Sequence, residues 1–492
     1  MPEGKKTSNI KSKKKRNNKL DAFLKLVAFI YTIITIIFYI SVIKLDMLPG
    51  IYVTIFTVAE IIFTFAMVVG VIKVHRKPTM NIVCLMIILL LSGVYIYVTN
   101  YTLATGEFLG NVFKEAIETE EYYIVARKDS NYEKLEDIKN KNLYIFQVAD
   151  DARKEVENKV NVNFKIQNSL ADLGKDLVNK KTDIIFISSV QYDILEEEIK
   201  NFKTNTKILY TAKHELKTNT DVSSSSSKYT IKSGIFNVYI SGIDTSGNIN
   251  NVSRSDANIL ATINTKTHEV LLTSIPRDYY VTLHSYGAKD KLTHSGIYGV
   301  NETVSTVEDL LDTNINYYVR VNFSTVIKLV DTLGGIDVYS DSDFSTTSDT
   351  SAIQYTFYKG YNHVDGEKAL AFSRERQAFA DGDNQRGKNQ QHVIEAIIKK
   401  VLNSTTILTK YTSILDSLEG SFQTNIKQDE ISSLVKGQLN DMSSWTIKSN
   451  SLTGTGAYNS TYSMGSQQLY VMIPDSTSVT EAIQKIDNVI GE

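Results

Sequence analysis

The stretch ANILATINTKTHEVLLTSIPRD, residues 257–278, alternates apolar and polar side chains on either side of the polar segment NTKTHE. This period of two predicts a pair of β-strands joined as a hairpin. The preceding stretch SGIFNVYISGID, residues 233–244, has the same period and predicts another strand. Asp244 ends that strand, and Arg277 and Asp278 end the hairpin, so charged side chains are expected where these strands end.

Four short motifs contain the charged residues of interest. They are SGIDTSG at 241–247, VSRSDAN at 252–258, SIPRDYYV at 274–281 and SRERQAFADGDNQRGKNQQ at 373–391. Alone, Ser-Arg-Ser-Asp is usually a polar turn and Arg-Glu-Arg a solvated ion-pair face. Together they favour a diphosphate site, because guanidinium groups bind phosphate in a bidentate manner and carboxylates hold a hard cation.

Helices are predicted around this sheet. Residues 304–312, 323–333 and 390–402 have apolar side chains at helical spacing, and residues 334–340 return to a strand. The expected fold class is therefore α/β, a mixed sheet covered by helices. The apolar positions of the first two helices fit an ordinary core, and the sequence does not distinguish that core from a tunnel for a lipid chain.

The order of the four motifs resembles that of the LytR-CpsA-Psr family of membrane-anchored glycopolymer transferases, over about residues 231–402. The layout of the chain is similar to that of the capsular members, which have three membrane spans and an extra external domain. The resemblance implies a catalytic domain that holds a polyprenyl diphosphate, with the lipid tail in a hydrophobic tunnel. It implies transfer of capsular polysaccharide or a related cell-wall glycopolymer to peptidoglycan, with Mg²⁺ as cofactor and Mn²⁺ as its substitute.

The resemblance also implies a role for each charged residue of the motifs. The catalytic residues are expected to be Asp256, Arg277, Arg374 and Arg376, the substrate-binding residues Arg254, Lys291, Arg386 and Gln390, and the metal ligands Asp244 and Asp256. Asp278 is expected to orient the Arg277 guanidinium. Arg374 and Arg376 face the same side if their segment is extended. Asp256 is the candidate base for the acceptor hydroxyl, although a carboxylate bound to Mg²⁺ is a weak base.

The N-terminal part predicts membrane anchoring. A basic tail, residues 1–22, precedes apolar runs at residues 23–43, 51–72 and 82–98, and the membrane helices are placed within residues 23–100. Each run is long enough, or nearly so, to cross roughly 30 Å of hydrocarbon. The first run lacks the cleavage site of a signal peptide. The basic tail and the loop around Arg76 favour a cytoplasmic N-terminus, so three crossings place the rest of the chain outside the cell. Glu60 in the second run either pairs within the bundle or faces a partner helix.

Cysteine content agrees with that topology. Cys84, the only cysteine, lies in the third apolar run, so the external part has no disulfide. Its stability must come from ordinary hydrophobic cores. The expected setting is the cell membrane of a Gram-positive bacterium, with a multi-pass anchor and an extracellular catalytic domain.

Residues 107–217 are predicted to form an external accessory domain. Strand-like runs at 122–126, 142–148 and 182–188 alternate with helical stretches at 132–140, 150–159 and 169–179. This alternation is typical of crossover units on a mostly parallel sheet. Residues 128–146 weakly resemble one lobe of an extracellular solute-binding protein. The Ser-rich residues 218–230 are expected to be a flexible linker to the catalytic domain at 231–402.

The remaining residues, 403–492, are predicted to complete the catalytic domain. Helical spacing occurs at 411–420, 428–439 and 479–490, and short strands are predicted at 445–449 and 468–473. Residues 453–466 are rich in Gly, Ser and Tyr and predict a loop.

Composition limits the partners. The formal net charge is −2, and the cytoplasmic tail is too short for a folded reader domain, so nucleic acid is not an expected partner. The expected partners are the polyprenyl diphosphate-linked polysaccharide, peptidoglycan, membrane lipid and other capsule biosynthesis proteins. Two alternatives remain open: a polyprenyl diphosphate hydrolase, and a non-catalytic surface receptor that regulates capsule expression. Release of polyprenyl phosphate separates enzyme from receptor, and dependence on an acceptor separates transferase from hydrolase.

Overall fold

The computed structural model of the chain describes residues 18–73, 78–112, 117–217, 229–243, 249–403, 420–441 and 443–491. The chain divides into two compact units, Met1–Gly106 with Val435–Asn440 and Glu107–Leu434 with Asp441–Glu492. The second unit contains both a middle region, residues 117–217, and a C-terminal region, residues 229–434 and 441–491. The boundary predicted near residue 218 therefore lies inside one compact unit.

Three long apolar helices, α1 (Asn18–Leu45), α2 (Gly50–Lys73) and α3 (Pro78–Val112), form the N-terminal part. Their segments Ala22–Leu45, Gly50–Ile72 and Ile82–Gly110 are long and apolar enough to cross a membrane. This confirms the three predicted spans. Glu60 accepts hydrogen bonds from the Tyr95 hydroxyl at 2.8 Å and from the Thr64 hydroxyl at 3.1 Å. Its carboxyl group thus pairs within the three helices.

The middle region alternates strands and helices, as predicted, except that the predicted helix at 132–140 is only a short 3-10 turn. It contains β1 (Ile117–Arg127), a 3-10 turn (Leu135–Ile138), β2 (Asn142–Ile145), α4 (Asp150–Lys159), β3 (Asn163–Ile166), α5 (Leu170–Val178), β4 (Ile184–Ser188), α6 (Ser189–Glu198), α7 (Phe202–Asn205) and β5 (Thr206–Lys217).

These five strands form one sheet in the order β3-β2-β4-β1-β5. β2 is parallel to β3 and β4, but β1 is antiparallel to both β4 and β5. The prediction of a mostly parallel sheet is therefore wrong for the half that contains β1 and β5. The first and last strands pair along their whole length, from Ile117 with Lys217 to Arg127 with Thr206, and the local sequence pattern does not encode the direction of such distant partners.

The C-terminal region contains more strands than helices. Its strands are β6 (Ile235–Ile243), β7 (Ser255–Asn264), β8 (Glu269–Ile275), β9 (Tyr280–Thr282), β10 (Lys289–Lys291), β11 (Tyr317–Asn322), β12 (Ile336–Ser340), β13 (Phe344–Ser345), β14 (Thr356–Phe357), β15 (Gly360–Val364), β16 (Phe422–Thr424), β17 (Thr446–Ser451), β18 (Gly454–Thr461) and β19 (Gly465–Pro474). Its helices are α8 (Leu292–Ser295), α9 (Val300–Leu311), α10 (Phe323–Thr332), α11 (Gly366–Arg374), α12 (Asp383–Asn403), α13 (Gln428–Asn440) and α14 (Ser476–Ile490), with 3-10 turns at Ile231–Ser233 and Gly296–Tyr298. The second half of α13, Val435–Asn440, belongs to the first unit.

Six strands make the central sheet, in the order β16-β11-β6-β7-β8-β17. The predicted hairpin is present, because β7 and β8 pair antiparallel from Asn258 with Ile275 to Asn264 with Glu269. The β6–β11 and β8–β17 pairs are parallel, so the sheet is mixed and the predicted α/β class is confirmed. Val304 of α9 and Ile486 of α14 are fully buried in the core on one face of the sheet. The predicted strand at 334–340 exists as β12 but pairs with β15 in a separate sheet.

The end of the chain differs from prediction at one strand. Residues 454–461 are β18, paired antiparallel with β19, where a loop was predicted. That prediction was wrong because the Gly, Ser and Thr content of the strand resembles a loop, and the pairing with β19 decides its structure. β17 and α14 follow their predictions closely. Residues 218–228 of the predicted linker at 218–230 and most of the predicted helix at 411–420 lie outside the described residues.

The middle and C-terminal regions share buried contacts. Val252, Ile297 and Met464 of the C-terminal region lie in the same hydrophobic cluster as Val190 and Leu195 of α6. The backbone of β1 also pairs with the segment before β7, since Thr119 N donates to Asn250 O at 2.8 Å and Val252 N donates to Thr119 O at 3.0 Å. The sheet of the middle region is thus fixed against the chain that leads to Arg254.

Candidate functional site

Asp256 lies at an irregularity in β7. Gly242 of β6 pairs with Ala257, but the next residue, Ile243, pairs with Ser255, so Asp256 is the extra residue of a β-bulge. A bulge redirects one side chain out of the regular alternation of the strand. A side chain at Gly242 would meet Ala257 Cβ at 2.8 Å, so glycine permits this close pairing. The bulge therefore turns a carboxylate out of the sheet at the start of β7.

Arg277 lies in the turn that follows β8. Pro276 precedes it, and Tyr279 N donates to Pro276 O at 3.1 Å to close the turn. Arg277 Nη1 donates to Asp256 Oδ1 at 2.7 Å, and Thr293 Oγ1 donates to the same oxygen at 3.2 Å. The adjacent ends of β7 and β8 thus bring an arginine and an aspartate into a buried ion pair.

Arg254 approaches Asp256 from the segment before β7. Its Nη1 atom donates to Oε2 of Glu197, the penultimate residue of α6 in the middle region. Oε1 of Glu197 accepts from Arg277 Nη2 at 3.3 Å. Glu197 was not predicted as a site residue, because three consecutive glutamates at the end of a helix are usually a solvated face. Only the tertiary structure brings it to these arginines.

The N-terminal part of α12 supplies the third arginine. A small cavity of about 10 Å³ is lined by Asp256, Arg277, Arg386 and Gln390, together with residues of β8 and β17. This is room for roughly one water molecule. Gln391 fixes α12 against the sheet, since its Nε2 donates to Leu272 O at 2.9 Å and to Asn450 O at 2.6 Å. We call Arg254, Arg277 and Arg386 around Asp256 the arginine cluster.

Lys291 joins this cluster through a carboxylate. Its Nζ atom lies 3.3 Å from Asp278 Oδ1, whereas Arg277 Nε lies 3.9 Å from Asp278 Oδ2. Asp278 therefore lies between the two cations. Nearby His294 is buried, and its Nδ1 is 2.7 Å from Asp290 Oδ1 and 2.8 Å from Ser463 Oγ. Asp290 and Ser463 both contact Nδ1 of His294, whereas a catalytic triad uses both ring nitrogens. The contacts therefore hold the β18–β19 turn in place and do not form a triad.

Charge dominates the chemistry of the cluster. Burial raises the pKa of Asp256, but Arg277, Arg254 and Arg386 outweigh it and hold this pKa below its usual value. Burial likewise raises the pKa of Glu197, but Arg254, Arg277 and Lys291 bring it down to about 2. Both carboxyl groups are therefore ionised near neutral pH. Three guanidinium groups in a partly buried cleft suit the oxygens of a diphosphate.

The structure brings together most of the predicted site residues that it describes, with two exceptions. Arg254, Asp256, Arg277, Lys291, Arg386 and Gln390 all belong to or border the cluster. Among the described residues that line the small cavity, neither Arg374 nor Arg376 is found. Arg374 is the last residue of α11 and Arg376 is exposed in the following segment, so the extended conformation that would align them is not formed. Asp244 lies outside the described residues.

The described residues offer little for a metal ion. Within the described ranges, no group of three or more His, Cys, Asp or Glu side chains is arranged to hold one. Asp256 is one carboxylate, with Oδ1 oriented by Arg277 and Thr293. Mg²⁺ is often held by one or two carboxylates, substrate phosphates and water. The site therefore fits a cation bound mainly by a diphosphate, and not a cation held by these residues alone.

Sequence comparison gives matches over this part of the chain. The profile of the LytR_cpsA_psr family matches residues 198–478, which is more than half of the 492 residues. A Bacillus cereus protein described as polyisoprenyl-teichoic acid–peptidoglycan teichoic acid transferase TagU is 35% identical over 210 residues, 42% of this chain and 66% of that protein. The Bacillus subtilis protein of the same description is 37% identical over 225 residues, 45% of this chain and 69% of that protein. The chain thus spans about two thirds of the length of these curated relatives.

Among solved structures, one described as TagT bound to LIIa-WTA aligns with a TM-score of 0.44 and 28% sequence identity. The alignment covers 54% of this chain and 95% of that chain.

Proposed function

We propose that this chain, which belongs to the LytR_cpsA_psr family, moves a cell-wall glycopolymer from a polyprenyl diphosphate carrier onto peptidoglycan. The observation that carries this proposal is the arginine cluster, which presents three guanidinium groups and Lys291 at one end of a mixed sheet. The descriptions of the related transferases name a polyisoprenyl-linked polymer and peptidoglycan, and a diphosphate is the anion that such a cluster suits. Capsular polysaccharide is the glycopolymer we propose here, in a cell-surface setting.

The proposed reaction is transfer of a glycosyl phosphate. The acceptor hydroxyl attacks the phosphorus next to the sugar, the bond to the bridging oxygen breaks, and polyprenyl phosphate leaves. The hydroxyl proton passes to water or a phosphate oxygen. Arg254, Arg277 and Arg386 stabilise the charge that builds on the phosphoryl oxygens. Asp256 orients Arg277, and its lowered pKa makes it a weaker base than a free carboxylate.

A divalent cation completes the proposed site. Asp256 would hold Mg²⁺, or Mn²⁺ in its place, together with the diphosphate oxygens, and Asp244 remains a proposed second ligand. When bound, the cation would neutralise phosphate charge and polarise the phosphorus centre. The chain's own part is to fix the direction of Asp256 through the bulge in β7 and the bond from Thr293.

The proposed path of the lipid tail starts at α12. Gln390 lines the cavity beside the cluster. Ile394, one turn further along α12, packs against the buried apolar cluster of the sheet that contains Ile259 and Leu272. Residues four apart lie on the same face of a helix. The polar end of α12 thus leads directly to an apolar layer, an arrangement that supports a ligand with a charged head and an apolar tail. Anchoring by α1–α3 would keep this site near the bilayer that carries the lipid, with the catalytic domain outside the cell.

The test uses the full chain in lipid nanodiscs with a short-chain polyprenyl diphosphate sugar and Mg²⁺. Release of polyprenyl phosphate is followed with and without peptidoglycan, and Arg277→Ala is compared with Arg153→Ala, a change at an exposed ion pair of α4. The transferase proposal requires release that depends on Arg277 and rises with peptidoglycan. Release indifferent to peptidoglycan would instead indicate a hydrolase, and tight lipid binding without release would indicate a receptor.

A further inference from the structure

We infer that Glu197 of the middle region competes with the diphosphate for Arg254 and Arg277, and that the substrate must displace this carboxylate to enter the arginine cluster. The inference rests on the proposed function, because it assigns the diphosphate to that cluster. It gives the middle region a role in setting the affinity of the site. In the free protein, Glu197 occupies the position of an anionic ligand.

The geometry of Glu197 is that of a bridging anion. One carboxylate oxygen accepts from Arg254 Nη1, and the other accepts from Arg277 Nη2 at 3.3 Å. The side chain of Glu197 is 42% exposed, whereas those of Arg254 and Arg277 are 18% and 11% exposed. Glu197 therefore covers the two arginines from the solvent side. The cavity beside Arg277, about 10 Å³, is far too small for a diphosphate.

Local helix physics does not explain an acid at this position. Glu196, Glu197 and Glu198 are the last three residues of α6, where the negative end of the helix dipole disfavours carboxylates. Glu196 pairs with Lys203 at 3.1 Å, and Glu198 accepts from Gln467 at 3.2 Å. Each neighbour of Glu197 thus has its own partner, and only Glu197 reaches the arginine cluster.

Glu197 is not needed to hold the two regions together. Val190 and Leu195 share one buried hydrophobic cluster with Val252 and Met464, and the backbone bonds of Thr119 also join the regions. The Glu197 carboxylate, with the end of α6 that carries it, can therefore move without separation of the regions. Arg254, Arg277 and Lys291 hold the pKa of Glu197 at about 2 against the effect of burial, so a competing anion, not protonation near neutral pH, is what releases these arginines.

The inference is tested with farnesyl diphosphate as the probe and the full chain in nanodiscs. Glu197→Gln removes the competing charge with little change of shape, so the dissociation constant should fall on the order of tenfold. Glu196→Gln, one residue earlier and paired with Lys203, should leave it unchanged. Unchanged or weaker binding by Glu197→Gln would overturn the inference, and weaker binding would make Glu197 part of the bound site.

Two further measurements separate the inference from its premise. If Arg277→Ala does not weaken farnesyl diphosphate binding, the diphosphate does not bind at the arginine cluster and the proposed function is wrong about its site. If Arg277→Ala weakens binding and Glu197→Gln does not strengthen it, only the inference fails. Hydrogen exchange of the unmodified protein needs no variant: farnesyl diphosphate should increase exchange in the last turn of α6 and in residues 199–201. Unchanged or slower exchange there would contradict displacement.

Discussion

Arg277 Nη1 donates a 2.7 Å hydrogen bond to Asp256 Oδ1, and this bond joins the turn after β8 to the bulge in β7. Each group needs the other, because both side chains are largely buried and an isolated buried charge is costly. The same guanidinium also donates from Nη2 to Glu197 Oε1 at 3.3 Å. The pair therefore holds the Arg277 guanidinium in a fixed position, where its positive charge can bind an anion.

Replacing Arg277 by lysine should lower the rate of polyprenyl phosphate release by roughly 10²-fold or more. An ammonium group is a point charge and cannot hold Asp256 and a phosphate oxygen in the planar geometry of a guanidinium. The rate is measured on the full chain with a short-chain polyprenyl diphosphate sugar and peptidoglycan. Arg153→Lys, at an exposed ion pair with Asp150, is the matched control. Equal rates for the two variants would remove Arg277 from the reaction.

Asp256→Asn should also reduce transfer by about 10²-fold, even at saturating Mg²⁺. The amide oxygen can still accept from Arg277 and Thr293, so the geometry is preserved and only the negative charge is lost. Transfer is measured over a series of Mg²⁺ concentrations, and Asp337→Asn, at an exposed pair with His363, is the control. Full transfer by Asp256→Asn at high Mg²⁺ would show that its charge is dispensable.

The local pattern of the sequence predicted the elements that carry the site. Residues 257–278 formed the predicted hairpin, and Arg277 lies at its end, because alternation of side chains specifies a strand buried on one face. α5 also formed as its capping residue indicates, with Ser169 Oγ accepting from Asp172 N. Most of the proposed cluster could thus be found from motifs placed at strand ends.

Long-range arrangement could not be predicted. The direction of β1 in the sheet depends on its antiparallel pairing with β5. These two strands lie at opposite ends of the middle region in sequence. Glu197 reaches Arg254 and Arg277 only because α6 packs on the C-terminal region. No local spacing marks either feature, since the contacts join residues that are far apart in the chain. The positions of Arg374 and Arg376 likewise depend on where α11 ends.

The buried pair of Glu118 and Arg320 should contribute strongly to stability. Both side chains are 3% exposed, and Arg320 also donates to Gln423 Oε1 at 3.0 Å and to Asn251 O at 3.2 Å. Glu118→Gln leaves Arg320 with less compensation for its buried charge, so the free energy of unfolding should fall by about 3 kcal/mol. Thermal unfolding measures the change. Glu118→Met combined with Arg320→Met should recover part of it, and no recovery would contradict the charge argument.

Glu197 should make a small, acid-sensitive contribution to stability. Its pKa falls from its usual 4.5 to about 2 in the folded protein, so the folded state favours the ionised form. That stabilisation is fully present above pH 4.5 and is lost as the pH falls towards 2. The difference in midpoint temperature between the unmodified protein and Glu197→Gln should therefore be constant above pH 5 and shrink below it. A difference that persists at pH 2, or is matched by Glu196→Gln, would contradict this assignment.

The last prediction concerns Gly296, which lies close against the backbone around Arg254. A Cβ atom at Gly296 would lie 2.5 Å from Ser253 O and 3.0 Å from Ser255 N, and these backbone atoms cannot rotate away. Gly296→Ala must therefore displace the backbone segment that contains Arg254. The expected cost is roughly 1–3 kcal/mol of stability, typical of overpacking.

The same shift should weaken farnesyl diphosphate binding several-fold, because ion pairs and hydrogen bonds to phosphate depend on the position of the guanidinium. Binding is measured at a temperature at which the variant is fully folded, so that lost stability does not appear as lost affinity. Gly437→Ala is the matched control, since a Cβ atom at Gly437 meets nothing within 4 Å and alanine favours the helix. If Gly296→Ala binds as tightly as this control, Arg254 either is not displaced or does not contact the ligand.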